Sequence, residues 1–219
     1  MNDTELYLIR HGQAVINVEG SVDGTCLGLT AKGREQAKRV AARLRDVPPE
    51  GIRFDAAYCS TRLRCVQTAE IISSALGLDF IQDEQLRNAD YGTEGIDPWD
   101  VKRNDIGTIP PLAPMRRPTA TAECWQSFLS RCGVRLLDLA NEHRGRRVLI
   151  VGHSETSAAA LHTMFKMPDG ASRWRYPVMN HAAITVWRHE RLFADELPEP
   201  AYQWCLVHQN DEHHLRELA

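Results

Sequence analysis

The sequence predicts an α/β fold, a three-layer α/β/α sandwich with a mostly parallel central sheet. Two observations predict it: short uninterrupted apolar runs, typical of strands covered on both faces, and amphipathic helical segments that alternate with them. Such alternation builds βαβ units, which place helices on both faces of a parallel sheet. The 219 residues, 43% of them hydrophobic, can bury a substantial core, and we interpret residues 1–219 as a single domain.

The first half of the chain alternates strands with helices. Apolar runs predict strands at residues 6–9, 54–59 and 78–81. Apolar residues at helical spacing predict a helix that begins after Thr30, a suitable N-cap residue. A second helix is predicted to end at Gly77, because glycine favours the left-handed backbone found at helix C-termini.

The same pattern resumes near residue 125. Helical spacing of apolar residues predicts helices over residues 125–139 and 158–165. A buried strand is predicted at residues 147–151, and two further strands at residues 183–187 and 202–206.

Residues 88–118 lie between these halves. They contain five prolines and several glycines without a sustained period, so we interpret them as a loop or lid insertion within the domain. Two basic pairs, Lys102-Arg103 and Arg116-Arg117, fall in this loop. We interpret them as solvated charges, and contact with a carboxylate or second phosphate of a substrate is the alternative.

Composition and charge exclude several classes of protein. A net charge of −3 gives no general attraction to nucleic acid or to anionic membranes, and no apolar stretch is long enough to span a bilayer. No export signal precedes the first strand, and the six cysteines form no CxxC pair. These features favour reduced, buried thiols and a cytoplasmic protein, with a homodimer left open as its assembly state.

Three polar segments follow predicted strands directly. Arg10 and His11 follow the first strand, residues 60–64 follow the second, and His153 follows the strand at 147–151. Because ligands in such folds bind at the carboxyl ends of the strands, we expect these segments to converge on one cleft.

The first of these segments, Leu8-Ile9-Arg10-His11-Gly12-Gln13, resembles the signature of the histidine phosphatase superfamily, which includes the phosphoglycerate mutases. The other matches keep the family's order, and together they span about residues 6–215. They are Asn17; Leu29-Thr30 with Gly33, Gln36 and Ala37; Ser60 and Arg64 with Gln67-Thr68-Ala69; Gly152-His153; Asn180; Asn210-Asp211; and His214-Leu215.

The resemblance implies a site for phosphoryl transfer. His11 would attack phosphorus and form a phosphohistidine, which splits one difficult displacement into two easier steps. Arg10, Arg64 and a protonated His153 would donate hydrogen bonds to the phosphate oxygens on which charge accumulates, and Asn17 would complete this shell. No metal or cofactor is expected for such a mechanism.

One position departs from the family pattern. Family members commonly carry a glutamate there, which protonates the leaving group, whereas this chain has Asn88, which has no titratable proton. Asp90 and Glu155 are the candidate substitute acids. Glu94 is a third candidate, and we interpret it instead as a structural residue of the same segment.

These residues support three hypotheses about function. The first is a phosphatase that hydrolyses a small phosphomonoester, with Asn88, Arg62 and Ser154 as additional candidates for binding the substrate. The second is a pocket that binds a phosphorylated or other anionic ligand without hydrolysis, because Asn88 replaces the acid. The third is phosphoryl transfer as in a phosphoglycerate mutase.

Overall fold

The computed structural model describes residues 3–18, 28–46, 51–90, 115, 117, 119–167, 177, 179–192 and 201–218. In these residues six strands form one sheet: β1 (Thr4–Arg10), β2 (Ala56–Ser60), β3 (Ile81–Asp83), β4 (Arg147–Gly152), β5 (Ile184–Leu192) and β6 (Ala201–Asp211). Four α-helices flank the sheet: α1 (Ala31–Arg45), α2 (Leu63–Leu76), α3 (Trp125–Glu142) and α4 (Ser154–Met164).

The sheet is mixed, with the strand order β3-β2-β4-β1-β5-β6. Neighbouring strands from β3 to β1 are parallel, whereas β5 is antiparallel to both β1 and β6. The α/β class predicted from the sequence is therefore confirmed. Because β5 runs opposite to β1, the start of β5 lies at the same edge of the sheet as the end of β1.

Alternate residues of the central strands face opposite helix layers. Leu8 packs in one buried cluster with Phe128 of α3, whereas Ile9 packs in the other with Leu44 of α1 and Ile72 of α2. Both clusters exclude water, and each fully buried aliphatic side chain of this kind stabilises the fold by about 1.5 to 3 kcal/mol. The apolar runs at residues 6–9, 54–59 and 147–151 correspond to strands covered on both faces.

Two helix boundaries agree with the sequence signals. Thr30 is the N-cap of α1, and its side chain accepts a hydrogen bond from Gly33 N. Gly77 ends α2 with a φ of 62°, in the left-handed region.

Several other boundaries were predicted incorrectly. The strands expected at residues 183–187 and 202–206 continue to Leu192 and Asp211. The third strand was expected at residues 78–81, but β3 covers Ile81–Asp83. Leu78 and Phe80 are apolar because they pack against the cluster beneath α1 and α2, whereas β3 is an edge strand with an exposed Ile81. Helix α4 begins at Ser154 rather than at residue 158, directly after His153. Of the predicted loop at 88–118, residues 91–114, 116 and 118 lie outside the described residues.

Two further findings concern the described part of the chain. Cys59, Cys65, Cys124 and Cys132 are buried free thiols, and Cys205 is a partly buried one. No helix there has both the length and the hydropathy needed to cross a membrane.

Candidate active site

His11 and His153 leave adjacent parallel strands at one edge of the sheet. Arg10 at the end of β1 is paired with Gly152 at the end of β4, and His11 N donates to Gly152 O over 3.0 Å. The two imidazole rings lie edge to face, with 5.3 Å between their centroids, and both side chains are buried. The pairing of β1 with β4 therefore brings these two segments together, as expected from the sequence.

The loop after His11 packs directly on the start of α1. Gln13 N donates to Gln36 Oε1 over 2.8 Å, and Thr30 N donates to Gln13 O over 2.9 Å. A Cβ atom on Gly12 or on Gly33 would overlap backbone atoms of the facing segment, so both positions require glycine. The glycine and glutamine of the segment after Leu29 thus fix the position of the His11 loop.

Arg64, in the first turn of α2, connects the two histidines. Its Nε donates to His11 Nε2 over 3.1 Å, and its Nη2 lies 3.1 Å from His153 Nδ1. The same Nη2 donates to Asn88 Oδ1 over 3.0 Å. Arg64 as a whole residue is 8% exposed, so it presents a fixed cation to a site from which water is largely excluded.

These contacts determine the tautomer of each histidine. An arginine can only donate, so the nitrogen of each ring that faces Arg64 is unprotonated. His11 then carries its proton on Nδ1, which donates to Gly12 O over 2.7 Å. His153 carries its proton on Nε2, which donates to Ser60 Oγ over 2.9 Å.

Both imidazoles are neutral at neutral pH in this arrangement. Burial, followed by the charge of Arg64, holds the pKa of His11 well below its ordinary value, and the same two causes lower the pKa of His153. A neutral His11 suits a nucleophile. The protonated His153 expected from the resemblance is not the form that these surroundings favour, because burial and the charges of Arg64, Arg62 and Arg10 oppose it, and a bound anion would be needed to offset them.

Arg10 points into the same pocket from the end of β1. Its Nη1 donates to Met179 O over 2.6 Å, and its Nη2 lies 2.8 Å from His181 Nε2. Burial lowers the pKa of Arg10 to about 10, with the charge of Glu155 acting in the opposite direction and that of Arg64 in the same one. The guanidinium stays charged at neutral pH, and Glu155 lies close enough to influence it.

His181 is a residue of this pocket that sequence reasoning missed. Its Nε2 also lies 3.0 Å from Asn17 Oδ1, and its ring centroid is 5.6 Å from that of His11. His181 stands just before a predicted strand, and a residue there reaches the site only if that strand is antiparallel to β1. The sequence pattern does not give the direction of β5.

The late sequence motifs hold the turn that carries His181. Asn180 N donates to Asn210 Oδ1 over 2.6 Å, and Asn180 Nδ2 donates to Glu212 Oε2 over 2.8 Å. His214 Nε2 lies 2.9 Å from Ala182 O. Ser154, proposed from the sequence as a substrate contact, accepts a hydrogen bond from Met179 N over 3.1 Å and so also fastens this turn.

A polar cavity of about 400 Å³ opens beside Asn88. Among the residues singled out from the sequence, it is lined by Arg62, Asn88, Asp90 and Arg117. Asn88 also contacts Arg64, so one residue of the lining touches the guanidinium that joins the two histidines, which are not themselves part of the lining. Glu155 is not part of its lining, and Glu94, Lys102, Arg103 and Arg116 lie outside the described residues.

The remaining wall of the cavity carries both charge signs. A bidentate ion pair joins Arg131 to Glu123, with nitrogen to oxygen distances of 3.0 and 2.8 Å. Over the described residues, no group of three or more His, Cys, Asp or Glu side chains is arranged to hold a metal ion.

Comparison with known proteins agrees with this geometry. A family model described as the histidine phosphatase superfamily (branch 1) matches residues 6–193. A probable phosphoglycerate mutase GpmB from Enterobacter sp. (strain 638) is 30% identical over 225 residues, which cover 96% of this chain and 94% of that protein.

Solved structures share the fold over nearly the whole chain. YhfR from Bacillus stearothermophilus has a TM-score of 0.74 at 26% identity, covering 97% of this chain and 99% of that one. A mycobacterial glucosyl-3-phosphoglycerate phosphatase has a TM-score of 0.72 at 22% identity, covering 94% and 98%. The resemblance predicted from the motifs is confirmed, and the chain belongs to the histidine phosphatase superfamily.

Proposed function

We propose that this chain is a phosphatase that hydrolyses a small phosphomonoester through a phosphohistidine on His11. The tautomer of His11 is the observation that carries the proposal. Its proton sits on Nδ1, held by Gly12 O, so the lone pair of Nε2 is available and faces the Arg64 guanidinium. A neutral imidazole beside a fixed cation is the arrangement that attack on an anionic phosphoryl group requires.

Binding would exchange the hydrogen bonds of the two arginines. In the structure, Arg64 donates to His11, and Arg10 donates to Met179 O and to His181. A phosphoryl group is a stronger acceptor for arginine than a neutral imidazole nitrogen, because its oxygens carry negative charge and can accept two parallel N–H hydrogen bonds. The phosphoryl oxygens would accept the hydrogen bonds of Arg10 and Arg64. The lone pair of His11 Nε2 would then be free to attack phosphorus.

Two displacements then complete the reaction. In the first, the His11 Nε2 to phosphorus bond forms as the ester P–O bond breaks, and the leaving oxygen takes the electron pair and a proton from the substitute acid or from solvent water. In the second, water attacks the phosphohistidine and loses a proton, the P–N bond breaks, and inorganic phosphate leaves. His11 returns to its neutral form, and the arginines stabilise the charge on the equatorial oxygens in both steps.

The cavity beside Asn88 is the proposed space for the leaving group. Its volume of about 400 Å³ and its lining by Arg62, Arg117 and Asp90 suit a small polar alcohol that carries an anionic group. Asn88 would contact this alcohol or the phosphoryl group rather than donate a proton to it.

Two rival functions have support of their own. Asn88 in place of an acid supports a pocket that binds an anion without hydrolysis, because general acid catalysis is typically worth about two to four decades in rate. The 30% identity with a probable phosphoglycerate mutase supports phosphoryl transfer between two positions of one substrate. A mutase also needs a second anion subsite, and Arg117 in the cavity is the described residue that would serve it.

Steady-state hydrolysis of para-nitrophenyl phosphate and of a panel of natural phosphomonoesters tests the proposal. The wild-type protein is compared with His11→Ala and with His208→Ala, a control that removes an exposed imidazole from β6. We expect turnover to disappear in His11→Ala alone, and rapid acid-labile labelling of the protein from a ³²P ester to disappear with it.

Two other outcomes of these assays would favour the two rival functions. Phosphate binding without turnover of any ester would favour the non-hydrolytic pocket. Interconversion of phosphoglycerates faster than release of inorganic phosphate would favour the mutase.

A further inference from the structure

His181 stands in a turn that is locked against the end of β1. Ala182 N donates to Arg10 O over 3.0 Å, and Arg10 Nη1 donates back to Met179 O over 2.6 Å. Ala182 adopts a φ of 59°, a left-handed conformation that an alanine keeps only where its surroundings fix it. The imidazole of His181 is therefore held in place rather than free to swing out of the pocket.

The Nε2 atom of His181 faces one donor and one acceptor. Arg10 Nη2 lies 2.8 Å away and can only donate, whereas Asn17 Oδ1 lies 3.0 Å away and already accepts from Ala14 N over 3.1 Å. A single ring nitrogen either accepts or donates, so it satisfies only one of these two neighbours. An unprotonated Nε2 accepts from Arg10, whereas a protonated Nε2 donates a second hydrogen bond to Asn17 Oδ1.

A bound anion would change which form is favoured. The two neighbours of His181 Nε2, Arg10 and Asn17, are the residues expected to contact phosphate oxygens. A phosphate oxygen that accepts the hydrogen bond of Arg10 Nη2 also lies within reach of His181 Nε2. Arg10 then no longer donates to Nε2, so Nε2 need not stay unprotonated. A protonated Nε2 could then donate a charge-assisted hydrogen bond to the same anion.

We propose that His181 is an anion-binding residue of the active site that takes up one proton when a phosphoryl or sulfate group binds, and donates a hydrogen bond to it. This inference rests on the proposed function, because it uses the same phosphoryl position. It adds a third imidazole to the site and makes anion affinity depend on pH through a residue that the mechanism otherwise leaves unused.

The surroundings of His181 explain why its proton would arrive with the ligand. Burial, and then the charges of Arg10 at the end of β1, Arg64 on α2 and Lys32 on α1, lower the pKa of His181 to about 3. His11, the other titratable group that faces it, is itself neutral. A bound dianion offsets two of these three positive charges and so raises the pKa of His181.

Calorimetric titration with sulfate tests the proposal, because sulfate does not itself change protonation near neutral pH. Titrations in buffers of different ionisation enthalpy count the protons taken up by wild type, His181→Asn and His181→Gln, with His208→Asn as the matched surface control. We expect wild type and the control to take up about one proton more than either His181 variant. Sulfate affinity near pH 6 should fall about tenfold in those variants, the effect of losing one hydrogen bond to a charged group, and by less near pH 8.

Two results would overturn the proposal for His181. One is the same proton count and the same pH dependence in all four proteins. The other is tighter sulfate binding by the His181 variants at every pH, which would mean that His181 only competes for Arg10. Circular dichroism of both His181 variants is the control for folding.

Failure of the proposed function gives a different result. A wild-type protein that binds neither sulfate nor phosphate overturns both proposals. Proton-coupled sulfate binding by a protein that hydrolyses no ester supports His181 as an anion-binding residue and overturns the phosphatase alone.

Discussion

Arg64 Nη2 lies 3.0 Å from Asn88 Oδ1. The amide Nδ2 of Asn88 donates to the adjacent Ala89 O over 3.0 Å, so the side chain is oriented with its oxygen toward the guanidinium. A carboxylate could make the same contact with Arg64. Asparagine thus keeps the arginine in position, and what it lacks is only the titratable proton.

The first prediction is that Asn88→Glu gains activity on esters with poor leaving groups. The new carboxyl group would occupy the position beside Arg64 and could protonate an alkoxide, which is worth about 100-fold or more in rate. We expect kcat on alkyl phosphates to rise by about that factor. Turnover of para-nitrophenyl phosphate should change little, because its leaving group needs no proton.

Asn88→Gln is the matched control, since it is as long as glutamate and has no titratable proton. An equal rise in both variants would mean that length, not proton donation, limits the reaction.

The second prediction compares the two substitute acids. Asp90 lines the cavity proposed for the leaving group. Glu155 is not part of that lining, and its charge raises the pKa of Arg10. We expect Asp90→Asn to lower kcat on alkyl phosphates at least about 100-fold, the low end of what an acid contributes. Glu155→Gln should instead alter KM, because it acts on the arginine that would bind phosphate.

The measurement is the kcat and KM of each variant on one alkyl phosphate and on para-nitrophenyl phosphate. Unchanged kcat on the alkyl ester in both variants would mean that neither carboxylate donates the proton.

The third prediction concerns Ser60, whose Oγ accepts the Nε2 proton of His153 over 2.9 Å. Ser60→Ala would leave that buried N–H without this acceptor, at a cost of about 1 to 3 kcal/mol of folding free energy. Because the serine also orients His153, we expect kcat to fall about tenfold.

Ser157→Ala is the control, since both serines are buried and, among the described residues, the Ser157 hydroxyl has no hydrogen-bond partner. Chemical denaturation should show Ser157→Ala to be at least as stable as wild type. Equal losses of stability and activity in the two variants would contradict the orienting role of Ser60.

The fourth prediction is a loss of stability in acid. The pKa values of His11, His153 and His181 are lowered in the folded protein, so below their ordinary value of 6.5 the unfolded chain binds protons that the folded chain does not. Each such histidine lowers the free energy of unfolding by about 1.4 kcal/mol per pH unit below that value. For His181 this window ends at a pKa of about 3.

Urea denaturation at several pH values between 7 and 5 measures this loss. His181→Asn should have a shallower slope than wild type by about 1.4 kcal/mol per pH unit, since it lacks one of the three groups. Parallel slopes would mean that His181 is protonated in the folded state.

Local patterns predicted the α/β class and most of the elements. Strands buried on both faces leave continuous apolar runs, and Thr30 and Gly77 mark helix ends through chemistry confined to one turn. The apolar pattern misplaced the third strand. Leu78 is apolar because it packs against the core, whereas the edge strand that begins at Ile81 is largely exposed. Cytoplasmic location, assembly state and the roles of the loop at 88–118 stay predictions.

By itself, the sequence determined the family and the convergence of His11, Arg64 and His153, because residues that follow parallel strands share one edge of the sheet. Only the tertiary structure decided the hydrogen-bond partners and tautomers of those side chains. It also brought His181 to Arg10, from 171 residues away along the chain, because β5 runs antiparallel to β1. Strand direction depends on packing across the whole sheet, and no local run of residues encodes it.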